Sequence, residues 1–152
     1  MKPNPQHVSA IKELIEKCAF PSLLGFYLTD LGKGFSKFEM EIQEKHMQPY
    51  GMAHGGNIAT LIDSATFWSI YFSIGERCGL VNVDLKLNYL LPVKSGRLFA
   101  IGKEIKTGKT LAYAEASVLD ENERLIAHGT STIMILEGKG LILNPSIAKF
   151  LE

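Results

Sequence analysis

The chain has 152 residues, 46% hydrophobic and 21% charged, an ordinary globular composition long enough for one domain over 1–152 with a real core. Lys+Arg and Asp+Glu stand at 16 each, so the formal net charge is +0 and neither nucleic acid nor an anionic membrane surface is expected as a partner. Cys18 and Cys78 are too few for a disulfide framework and fit no metal-ligand spacing, so reduced, partly buried thiols in a cytoplasmic protein are expected.

The opening MKPNPQHVSA lacks an apolar h-region, and no signal peptide is expected. Asn4-Pro5 reads as an N-cap followed by Pro at the first helical position. Val8, Ile11, Leu14, Ile15 and Cys18 then recur at helical spacing, predicting a helix over about 5–18 that Pro21 ends. A strand over 23–31, a Gly32-Lys33-Gly34 turn and a strand over 35–43 follow. The second of these strands sets Phe38, Met40 and Ile42 on one face. Residues 44–53 have no periodicity and read as a loop.

The stretch HGGNIATLIDSATFWSIYFSIG, 54–75, predicts a long helix with apolar side chains on every face, buried all round. Its length is barely that of a membrane span. Asp63 in the middle would cost roughly 2.5–3.5 kcal/mol on insertion, and amphipathic strands follow at once, so no membrane span is expected. Val81, Val83, Leu85, Leu87 and Tyr89 alternate with polar residues, predicting one half-buried strand that stops at Pro92. Strands over 97–106, 110–119 and 125–136 are joined as hairpins by KTGKT and LDENER. The tail from 137 is variable: 141–143 extends the sheet, or 145–151 forms a short helix. The order predicts an α+β fold, a long central helix wrapped by a curved antiparallel sheet of about six strands. One sheet cannot surround that helix, so a second copy is expected against its remaining surface in a C2 homodimer.

Asp63 is the one charge in the central helix, with no Lys or Arg within a turn. Burying an unpaired carboxylate costs several kcal/mol or raises its pKa, which makes Asp63 a candidate working group. The competing reading is a structural Asp held by a backbone N–H or a buried water. Gly55 and Gly56 stand where the helix begins, and free first-turn N–H groups there can polarise a carbonyl. Two glycines can also serve only close packing. Eight residues separate Gly55 from Asp63, about 12 Å along one helix. A base must act within roughly 3–3.5 Å, so Asp63 can only work on a carbonyl held by a partner's Gly55.

HGGNIATLIDSA, VNVDLKLNYLLP and KTGKTLAYAEASVLDENERLIAHGTSTI together resemble the hot-dog-fold acyl-CoA thioesterases over roughly 20–136. The likeness is nearest the PaaI-like and human thioesterase-superfamily-member branch. It implies that Asp63 is the catalytic carboxylate, as general base or nucleophile, and that the Gly55 N–H polarises the thioester carbonyl. It implies that Gln48 places the carbonyl or the water, that His54 supports the loop and substrate, and that Asn82 stands where some members have a water-holding Ser. Lys106, Thr107, Gly108 and Lys109 match a stretch that contacts coenzyme A in relatives, and Tyr89 lines the same groove. A solvated hairpin turn is the plainer reading of KTGKT. Gly56, Thr60 and Phe67 would bound the substrate, with Thr60 and Phe67 one turn from Asp63 and Trp68, Tyr71 and Phe72 adding bulk.

The reaction so implied is metal-independent hydrolysis of an acyl-CoA thioester, with coenzyme A as part of the substrate and no separate cofactor. The active sites would be shared across a homodimer, and the dimers would pair further in some arrangement. A hydratase or dehydratase needs a His and an acid on neighbouring carbons, and His54 sits in an HGG instead. A non-catalytic acyl-CoA sensor gains nothing from Asp63. His7, His46 and His128 show no metal spacing and read as structural or surface residues.

Overall fold

Asn4 starts the first helix through its side chain, which accepts a hydrogen bond from the Gln6 N–H at 3.0 Å while Pro5 fills the first turn. The computed structural model describes residues 1–151. Strand β1 (Lys2–Pro3) precedes helix α1 (Pro5–Lys17), which buries His7, Ile11 and Ile15. Pro21 does not end this helix. The chain turns at Cys18, which is extended, and Pro21 lies in the first turn of a second helix, α2 (Ala19–Leu24), where its missing N–H costs nothing. Gly25, at φ 76°, closes α2 in the left-handed region and donates to the Pro21 carbonyl at 2.8 Å. The first long strand therefore begins at Phe26, not at 23. Cys18 is exposed rather than partly buried.

Strands β2 (Phe26–Gly32) and β3 (Phe35–Ile42) pair antiparallel, with Phe38, Met40 and Ile42 buried as their alternation predicts. A 3-10 turn at Glu44–His46 follows, then α3 (Gly55–Ile70) and a second 3-10 turn, Tyr71–Ser73. The predicted strand over 81–89 is two strands, β4 (Cys78–Asn82) and β5 (Lys86–Tyr89). Asp84 causes the break: its carboxylate accepts from the Thr132 N–H at 2.7 Å, taking the place of a backbone carbonyl in the ladder. Strands β6 (Gly96–Thr107), β7 (Leu111–Leu119) and β8 (Leu125–Glu137) complete the sheet.

The sheet order is β2-β3-β6-β7-β8-β4, antiparallel throughout, with β5 also pairing β8. Its path has six strands, in line with the expected sheet of about six, the split of 81–89 adds β5 as a seventh, and the sheet curls around α3. Ile58, Leu61, Ile62 and Ala65 of α3 meet Phe38, Met40, Leu98, Ala100 and Val118 in one core. Each large side chain so buried contributes roughly 1.5–3 kcal/mol. The helix is seated by backbone contact as well: Ser36 Oγ donates to the Ala65 carbonyl at 2.6 Å, and a Cβ on Gly102 would stand 2.0 Å from that oxygen.

The tail neither extends this sheet nor forms a helix. Strand β9 (Phe150–Leu151) pairs with β1, so the tail closes back on the N-terminus. Lys149 is buried there with its Nζ 4.1 Å from the Tyr71 ring centroid, donating to the Ile74 carbonyl at 3.0 Å. Burial lowers the Lys149 pKa to about 8 and raises that of Tyr71 to about 12. His7 is lowered for the same reason. Its Nε2 lies 2.8 Å from the Tyr71 hydroxyl and its Nδ1 faces the Ile147 carbonyl at 3.3 Å, a structural role in keeping with its lack of metal spacing. No helix among the described residues is long and apolar enough to cross a membrane.

Candidate active site

His54 caps α3. Its Nδ1 accepts from the Gly56 N–H at 2.8 Å, which leaves the ring proton on Nε2. One of the four orphan donors of the helix start is thereby satisfied, and Gly56 is not free to bind substrate through that N–H. The Gly55 N–H has no hydrogen-bond partner among the described residues. Tyr89 from β5 covers this glycine: its hydroxyl donates to the Gly55 carbonyl at 3.1 Å, and a Cβ at Gly55 would stand 2.9 Å from the phenol ring. A side chain at this position would push the Tyr89 ring aside, so Tyr89 belongs to the same corner as the candidate oxyanion donor.

The sequence predicts a buried, unpaired Asp63; the side chain is neither fully buried nor unpaired. It is half-buried, and Asn82 Nδ2 donates to its Oδ2 at 2.8 Å and lies 3.2 Å from its carbonyl. Asn82 Oδ1 is buried and has no partner among the described residues. An orphan acceptor beside a carboxylate is where a donor such as water would be held. The helix is not covered on every face either. Ala59, Thr60, Asp63, Ser64, Phe67 and Trp68 form a half-buried stripe at helical spacing, and Asp63 lies in it.

Along this stripe runs a cleft of about 460 Å³. Asp63, Thr60 and Ser64 line one side of it, and Trp68 and Leu85 extend the wall. The opposite wall is Ile15, Cys18, Phe20 and Pro21 from α1 and α2, with Phe26 and Phe38 at the base. Thr60 thus lies on the cleft wall one turn from Asp63. Phe67 leaves α3 on the same side as Asp63 and Thr60 but does not line the cleft: its ring packs edge-on to Trp68, centroids 5.2 Å apart. Trp68 takes its place. The contribution of α1 and α2 was not foreseen, because nothing in their pattern says which surface their exposed sides face.

Gln48 is set in a tight loop. Its amide oxygen accepts from the Tyr50 N–H, and its backbone is bonded to Met52 and Gly51. Lys106 and Thr107 end β6 and Gly108 and Lys109 enter its turn to β7, and Thr107 Oγ1 donates to Glu104 Oε1 at 2.5 Å. Glu104 Oε2 in turn accepts from Ser73 Oγ, just beyond α3, so this turn lies at the far end of the helix from Gly55. Eighteen residues separate Gly55 from Ser73, about 27 Å at helical rise. Lys106 and Lys109 are exposed and make no ion pair among the described residues. No three His, Cys, Asp or Glu side chains converge among those residues as a metal site.

A helix wrapped by a curved antiparallel sheet, with glycines at its start and a carboxylate midway, defines a hot-dog-fold protein of the thioesterase kind. The thioesterase superfamily model matches residues 50–127, and the chain belongs to that superfamily. Human acyl-coenzyme A thioesterase 13 is 31% identical over 125 residues, 80% of this chain and 89% of its own. The mouse protein of that name is 36% identical over 96 residues, 62% of this chain and 68% of its own. A thioesterase family protein from Silicibacter pomeroyi has a TM-score of 0.79 at 26% identity, over 87% of this chain and 99% of that one. A thioesterase from Haemophilus influenzae, with a TM-score of 0.78 and 24% identity over 84% and 88%, shares the fold.

Proposed function

We propose that this protein hydrolyses an acyl-CoA thioester to a carboxylic acid and free coenzyme A, with Asp63 as general base. The observation that carries the reading is the Asp63–Asn82 pair beside the cleft, with Asn82 Oδ1 unpartnered. A water donating one hydrogen to Asp63 and the other to that amide oxygen is aimed by both. Asp63 takes the proton as the water oxygen bonds to the thioester carbon, the charge that develops on the carbonyl oxygen is met by a backbone N–H, and the C–S bond then breaks. Protonated Asp63 returns the proton to the departing thiolate.

The backbone donor in this scheme is Gly55 of a second copy. On one helix Gly55 and Asp63 are about 12 Å apart, too far to act on one carbonyl. One feature supports a homodimer with shared sites: the free outer edge of β4 and β5. Val81, Val83, Tyr89 and Leu90 are 43–55% exposed along that edge, an apolar row that an isolated chain would leave in water. A substrate lying with coenzyme A at the 106–109 turn reaches toward Asp63 from the C-terminal end of α3, while the partner's helix start arrives from the other side. His54 shapes the glycine corner through its cap, and Gln48 shapes the loop that leads into it.

Thiol release measured over a panel of acyl-CoAs, with Asp63→Asn as control, tests the assignment. Thiol release by wild-type that is lost in the variant is expected; turnover unaffected by the substitution would exclude Asp63 as the working group. Single-turnover hydrolysis in ¹⁸O water separates the two routes open to Asp63. Label confined to the acid product supports the water route that Asn82 favours, and label in the Asp63 carboxylate would mean that Asp63 attacks the thioester itself.

A further inference from the structure

We propose that α2 is the specificity-determining wall of the acyl site: the cleft between α3 and the α1–α2 pair takes the acyl group, admits uncharged apolar chains and refuses those that end in a carboxylate. The inference rests on Asp63 acting at the thioester carbon. With that carbon at Asp63 and coenzyme A leaving toward the 106–109 turn, the acyl group has the cleft of about 460 Å³ to occupy, within the size range of small-molecule sites. Beyond Asp63 its surface is mostly apolar, with Ile15, Phe20, Phe26, Trp68 and Leu85 and only the hydroxyls of Thr60 and Ser64 as polar side chains, and it contains no Lys, Arg or His. A second carboxylate placed there would be desolvated, would find no cation and would face Asp63.

The wall formed by α2 is the adjustable part. The core side of the cleft rests on the sheet, but α2 is six residues long and buries none of its side chains fully. It hangs between an extended Cys18 and a left-handed Gly25. Phe20, 55% exposed, stands at the mouth with its ring edge-on to Phe26 at 6.2 Å. Changing the bulk at Phe20 or Cys18 therefore alters how much chain the cleft covers without disturbing a packed core.

The test uses the full chain with acetyl-, butyryl-, hexanoyl-, octanoyl- and succinyl-CoA. Trp68, the one tryptophan in the sequence, lines the cleft and supplies a binding signal independent of hydrolysis. In wild-type, kcat/KM is expected to rise about fourfold per added methylene until the cleft is full, from apolar transfer alone. Succinyl-CoA should fall at least about tenfold below butyryl-CoA, the scale of a missing partner for a buried polar group. Phe20→Ala and Cys18→Phe should each lower the octanoyl-to-butyryl ratio of kcat/KM by about fivefold or more, one by uncovering the chain and the other by filling its space. In Asp63→Asn, octanoyl-CoA should change Trp68 emission and free coenzyme A should not. Hydrolysis indifferent to acyl length with Trp68 silent would overturn the cleft assignment and leave the hydrolase reading standing. A ratio unmoved by both variants would overturn the role of α2. A Trp68 response to octanoyl-CoA with no thiol released from any substrate would sink the hydrolase reading and keep the cleft, and neither signal would end both.

Discussion

Asp63 and Asn82 touch each other across nineteen positions of sequence, and their pairing bears more chemistry than either residue alone. Replacing Asp63 by Asn keeps the shape and removes the base, so kcat should fall on the order of 10²- to 10⁴-fold with thermal stability little changed. Replacing Asn82 by Leu removes both the donor to Asp63 and the orphan acceptor. A kcat loss of about 10- to 100-fold with KM nearly constant is expected, the scale of a hydrogen bond to a charged group. Asn82→Ser should recover part of it, because a hydroxyl can still donate and accept; no recovery would mean that Asn82 acts through packing alone. Asp63 was legible as a candidate because it is the lone charge in an apolar helix. Its partner was not legible from spacing, since a contact between a helix and an edge strand leaves no periodic trace. Phe67 and Trp68 show the same limit: Phe67 leaves the helix on the Asp63 side yet packs on Trp68, and nothing in the local sequence says which of the two rings the cleft meets.

At the scale of elements, α3 is held to the sheet where Gly102 and Ser36 meet the Ala65 carbonyl. Gly102→Ala pushes a methyl group into backbone that cannot rotate away, and a destabilisation of about 1–3 kcal/mol is expected by urea unfolding. The clasp formed by β1, β9 and Lys149 makes stability depend on pH. Lys149 has its folded-state pKa lowered to about 8 from an ordinary 10.5, chiefly by burial and against the favourable charges of Cys78 and Glu76. Below pH 8 both folded and unfolded chains carry the proton, and the buried charge costs its full amount. Between about pH 8 and 10 the folded chain releases the proton and the unfolded chain keeps it, so stability should rise by on the order of 2 kcal/mol. Tyr71, raised from 10.0 to about 12, works the other way above pH 10, where the unfolded chain ionises first. Lys149→Met should abolish the rise; a rise of the same size in that variant would place its origin elsewhere. The strands with strict alternation, β3 and β7, were readable, and so were α1 with its Asn4 cap and α3. The break between β4 and β5 was not, because Asp84 keeps the polar-apolar rhythm while its side chain replaces the ladder. The clasp was also hidden, since a two-residue strand is specified by where the chain ends meet and not by its own pattern.

For the whole molecule, the proposed joint action of Gly55 and Asp63 on one carbonyl requires two chains, because on one helix they stand about 12 Å apart. The wrapped helix with its glycine start and midway acid could be read before any coordinates, and so could the expectation of a second copy. The exposed apolar edge of β4 and β5 that we propose such a copy would cover could not be read, because it is visible only once those strands are placed. Complementation between two inactive variants tests the shared site most directly. Gly55→Pro removes the N–H at a helix position where Pro is tolerated and shifts the exposed Tyr89 ring that rests on it, and Asp63→Asn removes the base. Each variant alone should be nearly inactive. Unfolded together, refolded at equal concentration and allowed to exchange protomers, they should recover roughly a quarter of wild-type thiol release, because half the dimers are mixed and each of those has one intact site built from both chains. Mixtures no more active than the separate variants would contradict a site shared between Asp63 of one chain and Gly55 of the other.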